Sequence, residues 1–395
     1  MKKQILWLAI VLLAIVACKK DIPGVFRPDQ YAPTDFNQIF EAFWTGMNNN
    51  YVFWSIDTVN WDKMYAKYKP QFAALNHGTK DDTLNAYHYL QQMTQNLIDG
   101  HYNISFLNKG SILSSLSINP ASARKKGQPP FLPFLYFVQV SGKHYMDRFD
   151  TAFRNDTVAV GSKNPQVRGL GVMTGVIQQH ILYFRLNQFL LADMVAKDTG
   201  IRRVWIKFME DLHNPTLATK GLIIDVRSNP GGLLEDMNFL VGRLVTKPLS
   251  FAYTREKSGN GRLDYTPWAD AVCLPSIGAV NYTAPIVVLT DKNSISMSEM
   301  TAMALKRLPN THIIGDTTWG ANGPLSSANQ LYLGGQFYFA NFGFVYTSSA
   351  MYKYRDGKVY EGKGFPPDQY VPFNSDSVSA GKDTQLEAAI QYLNK

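Results

Sequence analysis

The stretch GLIIDVRSNPGG, Gly221 to Gly232, decides the fold. Its apolar run reads as a strand buried on both faces, and it breaks into Asn-Pro-Gly-Gly just before a helical pattern from about Leu233 to Leu244. The same alternation recurs on either side. ILYFRL and a helix from about Thr199 to Leu212 precede it; PIVVLT and a helix from about Ser298 to Arg307 follow. This rhythm predicts a mixed α/β (α+β) fold cored by a mainly parallel sheet with crossover helices. Ligands of such sheets gather beyond the carboxyl ends of the strands, so the loops ending GLIIDV and PIVVLT are where chemistry is expected.

Gly231 and Gly232 can take up positive φ and let a ligand approach the backbone, and free N–H groups at a helix N-terminus attract negative charge, a developing oxyanion included. Ser296 stands at the next helix start, where the macrodipole favours an alkoxide-like oxygen and the amide of Met297 points into the same space. Each feature alone has a plainer reading, a tight turn for the glycines and helix caps for Ser294, Ser296 and Ser298. A serine nucleophile also needs a base, and seven histidines are available. His101 follows Leu97-Ile98-Asp99-Gly100, where a helical pattern ends in a glycine, but spacing alone does not select it.

Further out, Phe36, Ile39, Phe40, Phe43 and Trp44, then Trp61, Met64, Tyr65 and Tyr68, recur at helical spacing and predict an N-terminal helical domain over 35–100. Residues 101–177 break into short apolar runs such as FLPFLYFVQV and predict a small β-rich insert; 178–395 form the α/β domain, with strands expected at HIIGD, QLYLG, QFYFANFGFVYT and KVYEG and a last helix from Gln385 to Leu393. The opening MKKQILWLAIVLLAIVACKK has a positive start and a short apolar stretch before Ala17-Cys18, so 1–17 read as a signal peptide and 18–34 as a tether. The 395 residues, 45% hydrophobic, suffice for a full core of two to three domains. The net charge of +8 includes Lys2 and Lys3 of the leader, and the densest basic run, Arg124-Lys125-Lys126, reads as a solvated loop, so no nucleic-acid partner is expected. Once Cys18 is set aside, Cys273 stands alone, which excludes an internal disulfide.

Four motifs, in order, resemble the C-terminal-processing (tail-specific) serine peptidases, in the branch similar to the tricorn core protease. They are Leu97 to His101, Asp225 to Gly232, Ser294 to Glu299, and Glu361 to Asp368. The resemblance implies a ClpP/crotonase-like core, Ser296 as nucleophile, an oxyanion hole from Met297 N–H with Gly231 or Gly232 N–H, His101 as base and Glu361 to stabilise its imidazolium. The lysine used as base by another branch is replaced by Ala321, the serine that precedes the tricorn-type histidine is Gly100, and 101–177 lie where lysine-type members carry a PDZ domain. Ile15-Val16-Ala17-Cys18 resembles a lipobox, implying a lipid on Cys18 and an exported, membrane-anchored protein of the bacterial cell envelope. The reading is thus a lipoprotein serine peptidase that cleaves extended polypeptides through an acyl-enzyme, with no metal or organic cofactor implied. Its rivals are a catalytically inactive peptide- or glycan-binding surface lipoprotein of the same fold, and a hydrolase of non-peptide esters or carbohydrate conjugates. Oligomeric state is not legible.

Overall fold

Asp35, Asn60 and Thr79 each turn a side-chain oxygen onto a backbone N–H three residues on, and each opens a helix: α1 (Phe36–Asn50), α2 (Trp61–Ala73) and α3 (Lys80–Thr94). The computed structural model describes residues 35–395 except 77–78, 108–111, 155–168, 218, 260 and 326–333; the expected signal peptide, the tether with Cys18, and nearly all of QLYLG lie outside it. The apolar faces of the three helices gather Phe36, Phe40, Phe43, Trp61, Tyr68 and Phe72 into an aromatic core. That core is shared with a four-stranded antiparallel sheet made by Asn103–Phe106, Ser117–Ile118, Phe337–Phe339 and Gly343–Tyr346.

Seven strands form the main sheet: β1 (Arg148–Arg154), β2 (Leu170–Ile177), β3 (Ile181–Leu186), β4 (Gly221–Asp225), β5 (Ile286–Thr290), β6 (Thr311–Gly315) and β7 (Gln369–Tyr370). Their spatial order is sequential, β7-β6-β5-β4-β3-β2-β1, parallel from β3 to β7 and antiparallel at β1 and β2. Right-handed crossovers in such an order put every connecting helix on one face. Side chains alternate accordingly. Leu222, Ile224, Ile286 and Val288 pack with the crossover helices α4 (Thr199–His213), α5 (Glu235–Val241) and α6 (Met297–Leu305), whereas Ile223, Val287, Leu289 and Ile314 face α7 (Thr384–Leu393). None of the helices among the described residues is long and apolar enough to cross a membrane.

The mainly parallel core with crossover helices is as expected. Residues 101–177 do contribute strands, but FLPFLYFVQV is not one of them. FLPFLYFVQV folds as Phe134–Phe137 helix continued by a π-helical turn over Val138–Gly142, and β1 and β2 join the main sheet rather than a separate body. The apolar run lacks period-2 alternation, Pro133 cannot donate to a ladder but suits a helix start, and Phe137 lies under the Arg185 guanidinium at 3.4 Å from its ring centre. KVYEG likewise forms no strand; Tyr354 N–H donates to Lys358 O across a turn, and the Glu361 side chain is buried. Cys273 is buried and free.

Candidate active site

The parallel pairing of β4 with β5 brings their carboxyl ends side by side, and the two loops that follow are stitched together. Ile295 N–H donates to Asn229 O at 3.0 Å, Ser298 Oγ to the same oxygen at 2.8 Å, and Ser294 Oγ to Val226 O at 2.9 Å. Ser228, at φ 50°, donates its N–H and hydroxyl to Asp291. Beneath them Asp225 is fully buried between Arg185 and Arg227 and accepts the Tyr183 hydroxyl at 2.6 Å. Burial alone would raise the Asp225 carboxyl, but the two guanidiniums hold it well below the usual carboxylate range. Arg227 also reaches Asp383, the N-cap of α7.

Ser294 and Ser298 therefore spend their hydroxyls on the neighbouring loop, and Ser296 differs from both. It is the N-cap of α6 in a conformation sparsely open to a side chain, φ 57° and ψ −114°, and its N–H donates to Glu299 Oε2 at 3.1 Å. Gly231, at φ 94°, faces it. A Cβ there would stand 2.7 Å from Ser296 Cβ and 2.8 Å from Met297 N, so only glycine leaves the space over the Met297 amide open. Met297 N–H, in the first turn of α6, has no helical acceptor. Gly231 N–H is held by Asn229 Oδ1 at 2.8 Å. At Gly232 the bridging bonds run through its neighbours, Phe189 N to Gly231 O and Leu233 N to Phe189 O, which leaves its own N–H outside the ladder.

His101 lies in the loop between α3 and the four-stranded sheet, and ligand atoms of Asp99, His101 and Glu361 all fall within 4.8 Å of one another. Asp99 accepts His101 N, Thr347 Oγ1 and both Ser348 donors. Glu361 accepts Gly100 N at 2.7 Å and Asn322 N and Gly323 N at 2.9 Å. A His/Asp/Glu trio has the donor chemistry of a divalent-metal site, but here every carboxylate oxygen is already committed to protein donors. Burial lowers the His101 pKa below its ordinary 6.5 against the opposing charge of Asp99, and burial with the Asp99 charge pushes Glu361 well up. The imidazole is thus neutral at rest, yet any positive charge it gains develops beside two carboxyl groups. Its Nδ1 is buried and makes no hydrogen bond among the described residues.

One turn joins the serine side to the histidine side. Gly320 and Ala321 N–H donate to Glu299, and the next two amides, Asn322 and Gly323, donate to Glu361. Glu299, raised by its burial, accepts the Thr318 hydroxyl as well. Neither Asp99 nor Glu299 was singled out for a role from the sequence, although both lie within the motifs that were. Ser296, Met297 and Gly231 are in mutual contact, Gly232 adjoins them, and His101 and Glu361 form a second group. Gly100 packs against the turn: a Cβ there would stand 2.5 Å from both Gly320 O and Ala321 Cβ. No side chain fits, which explains why the serine of the tricorn-type motif is absent. Gly100→Ser is expected to lower stability by about 1–3 kcal/mol, from overpacking against backbone, measured as a shifted urea midpoint.

A strand-end serine on a strained helix N-terminus facing a glycine turn, joined through the Trp319–Gly323 segment to a carboxylate-flanked imidazole, suits the class of serine-type peptidase folds. A family model described as Peptidase family S41 matches residues 180–371, and one described as Tricorn protease C1 domain matches residues 32–79. Residues 180–371 are thus similar to peptidase family S41, in agreement with the resemblance read from the motifs. Carboxy-terminal processing protease CtpB of Bacillus subtilis (strain 168) is 33% identical over 101 residues, 26% of this chain and 19% of that protein, so the match spans about a fifth of the relative's length. A crystal structure from Parabacteroides merdae, described as a candidate peptidase, superposes with a TM-score of 0.65 at 22% identity, covering 91% of this chain and 97% of the other. Mature CPAF superposes with a TM-score of 0.57 at 12% identity, covering 91% and 96%. These two structural likenesses concern the fold.

Proposed function

We propose that the protein is a serine endopeptidase that hydrolyses extended polypeptides through an acyl-enzyme on Ser296. The observation that carries this reading is the strained Ser296 at the start of α6, with the Met297 amide uncommitted and Gly231 clearing the space over it. His101 accepts the hydroxyl proton as Ser296 Oγ attacks the scissile carbonyl carbon. The resulting oxyanion takes hydrogen bonds from Met297 N–H and Gly232 N–H, the Gly231 amide being engaged by Asn229. His101 then passes its proton to the leaving amine, and water repeats the sequence on the ester. Glu361 and Asp99 offset the charge on the imidazolium while holding their loop by backbone hydrogen bonds.

The same reading places the protein outside the cytoplasm on a lipid at Cys18, supported by the leader sequence alone. Incorporation of a clickable palmitate analogue, lost in Cys18→Ala, tests that part.

The activity is tested by labelling residues 35–395 with a fluorophosphonate probe and locating the adduct by mass spectrometry. The adduct is expected on Ser296. Because the His101 pKa lies below 6.5, its basic form is fully present at neutral pH and is lost as the pH falls; the labelling rate should rise with a midpoint below 6.5 and His101→Gln should remove that limb. An unlabelled wild type, or an adduct on another serine, refutes the assignment.

A further inference from the structure

The basic run Arg124-Lys125-Lys126 is exposed at Arg124 and Lys126, as its composition suggests, yet two of its side chains are engaged with backbone carbonyls. Arg124 donates to Gln95 O at 2.6 Å and to Leu97 O at 2.7 Å, the carbonyls that open the loop leading to His101. The next residue, Lys125, is only partly exposed; its ammonium donates to Trp319 O and lies 4.1 Å from the centre of the Trp319 ring. Trp319 N–H in turn donates to Ser294 O at 3.0 Å, two residues before the nucleophile. Trp319 is therefore pinned on both sides at the head of the turn whose four following amides are divided between Glu299 and Glu361. The segment that carries Lys125 is itself fastened to the other two loops, through Asn293 Nδ2 to Pro129 O at 3.0 Å and Leu132 N to Ser228 Oγ at 3.1 Å.

From this geometry we infer that Arg124 and Lys125 form a positioning brace: one holds the His101 loop, the other holds the Trp319–Gly323 turn, and together they keep base and nucleophile in register. The inference rests on the peptidase reading for its catalytic consequence, though not for the contacts. Lys125 touches no reacting atom; it acts through the turn. The charged groups that face it are Glu299 in the first turn of α6, Glu361, and Arg124 beside it. Desolvation lowers the Lys125 ammonium to about 8 against the pull of the two carboxylates, so its charge is present at neutral pH and is lost as the pH rises through that value. The ammonium's hold on Trp319 O weakens over the same range.

Three proteins decide the matter: wild type, Lys125→Met and Lys125→Arg. Two measurements are made on each, the fluorophosphonate labelling rate from pH 5 to 10 and amide hydrogen exchange of residues 319–323. Displacing the turn by a fraction of an ångström is expected to slow labelling of Lys125→Met by about 10- to 100-fold at pH 7 and to speed exchange of those amides by at least about tenfold. Lys125→Arg, which stays charged, should label within about threefold of wild type and lose the alkaline decline that wild type shows near pH 8. A merely structural lysine would move neither the alkaline midpoint nor the split between the two variants. Unchanged exchange in Lys125→Met overturns the brace whether or not the protein labels. Changed exchange with an unaltered labelling profile overturns its catalytic role. A wild type that fails to label refutes the peptidase reading instead, and the exchange data still decide the brace.

Discussion

Ser296→Ala is expected to lower peptide hydrolysis by about 10⁴-fold or more, since removing the nucleophile of a triad leaves only what the oxyanion hole and binding supply. The fold should survive, because the site imposes its strain on any side chain: φ 57° at residue 296 is open to serine and alanine at similar cost. Glycine differs. Ser296→Gly is expected to be as inactive as the alanine variant yet more stable than wild type by up to about 1 kcal/mol, through relief of the positive φ partly offset by chain entropy. Turnover on a cleaved peptide and the urea midpoint, read on the three proteins together, check both halves. Full hydrolysis by Ser296→Ala would remove Ser296 from the mechanism.

Asp225→Asn is expected to be the most damaging single change to the fold. Arg185, with no exposed surface, has Asp225 as its ion-pair partner, and Arg227 takes two of its contacts from the same carboxylate. An amide would leave the Arg185 guanidinium buried beside β4 without its ion-pair partner, a loss of about 3–5 kcal/mol. For a chain of this size that corresponds to a fall in Tm of roughly 4–6 °C. The deficit should hold across pH 5 to 8, because a carboxyl held below its usual range gives its stabilisation above the unfolded pKa and loses it only in stronger acid. Asp383→Asn should cost less, since Arg227 keeps Asp225 and the asparagine can still cap α7. Differential scanning calorimetry on the two variants gives the order directly; equal losses would mean that the Arg185 pair contributes nothing of its own.

Much of the site was legible because its chemistry is written into local strand-to-helix transitions. Gly221 to Gly232 and Pro285 to Met300 each announce a buried strand, a polar break and a helix start, and β4 and β5 with their loops lie where that pattern puts them. What could not be read is whatever depends on two distant segments meeting. The Lys125 and Trp319 contact spans 194 positions and the Gly100 and Glu361 contact 261, and no local period encodes either. The proposed preference for Gly232 over Gly231 as oxyanion donor rests on where the Asn229 side chain points, a matter of one hydrogen bond. The segment FLPFLYFVQV was misleading for another reason: aromatic and β-branched residues favour a strand, while burial of Phe134 and Phe137 against the sheet settled it as a helix. Charge composition was silent in the same way, since a run of three basic residues gives no sign that two of them bind backbone carbonyls of distant loops.

Two of the hydrophobic cores have an operational meaning for the candidate site that draws on both. Ser296 rises from the sheet and crossover-helix core, whereas His101 sits between Leu97 and Tyr102, both buried in the aromatic core of the N-terminal helices. Free energies of local opening differ from one cooperative unit to the next, and we expect the N-terminal helical unit to open before the sheet core. Warming would then disengage the base while the nucleophile's half stays native, so catalysis would fade below the main melting transition and return on cooling, the enzyme switching off by uncoupling before it unfolds.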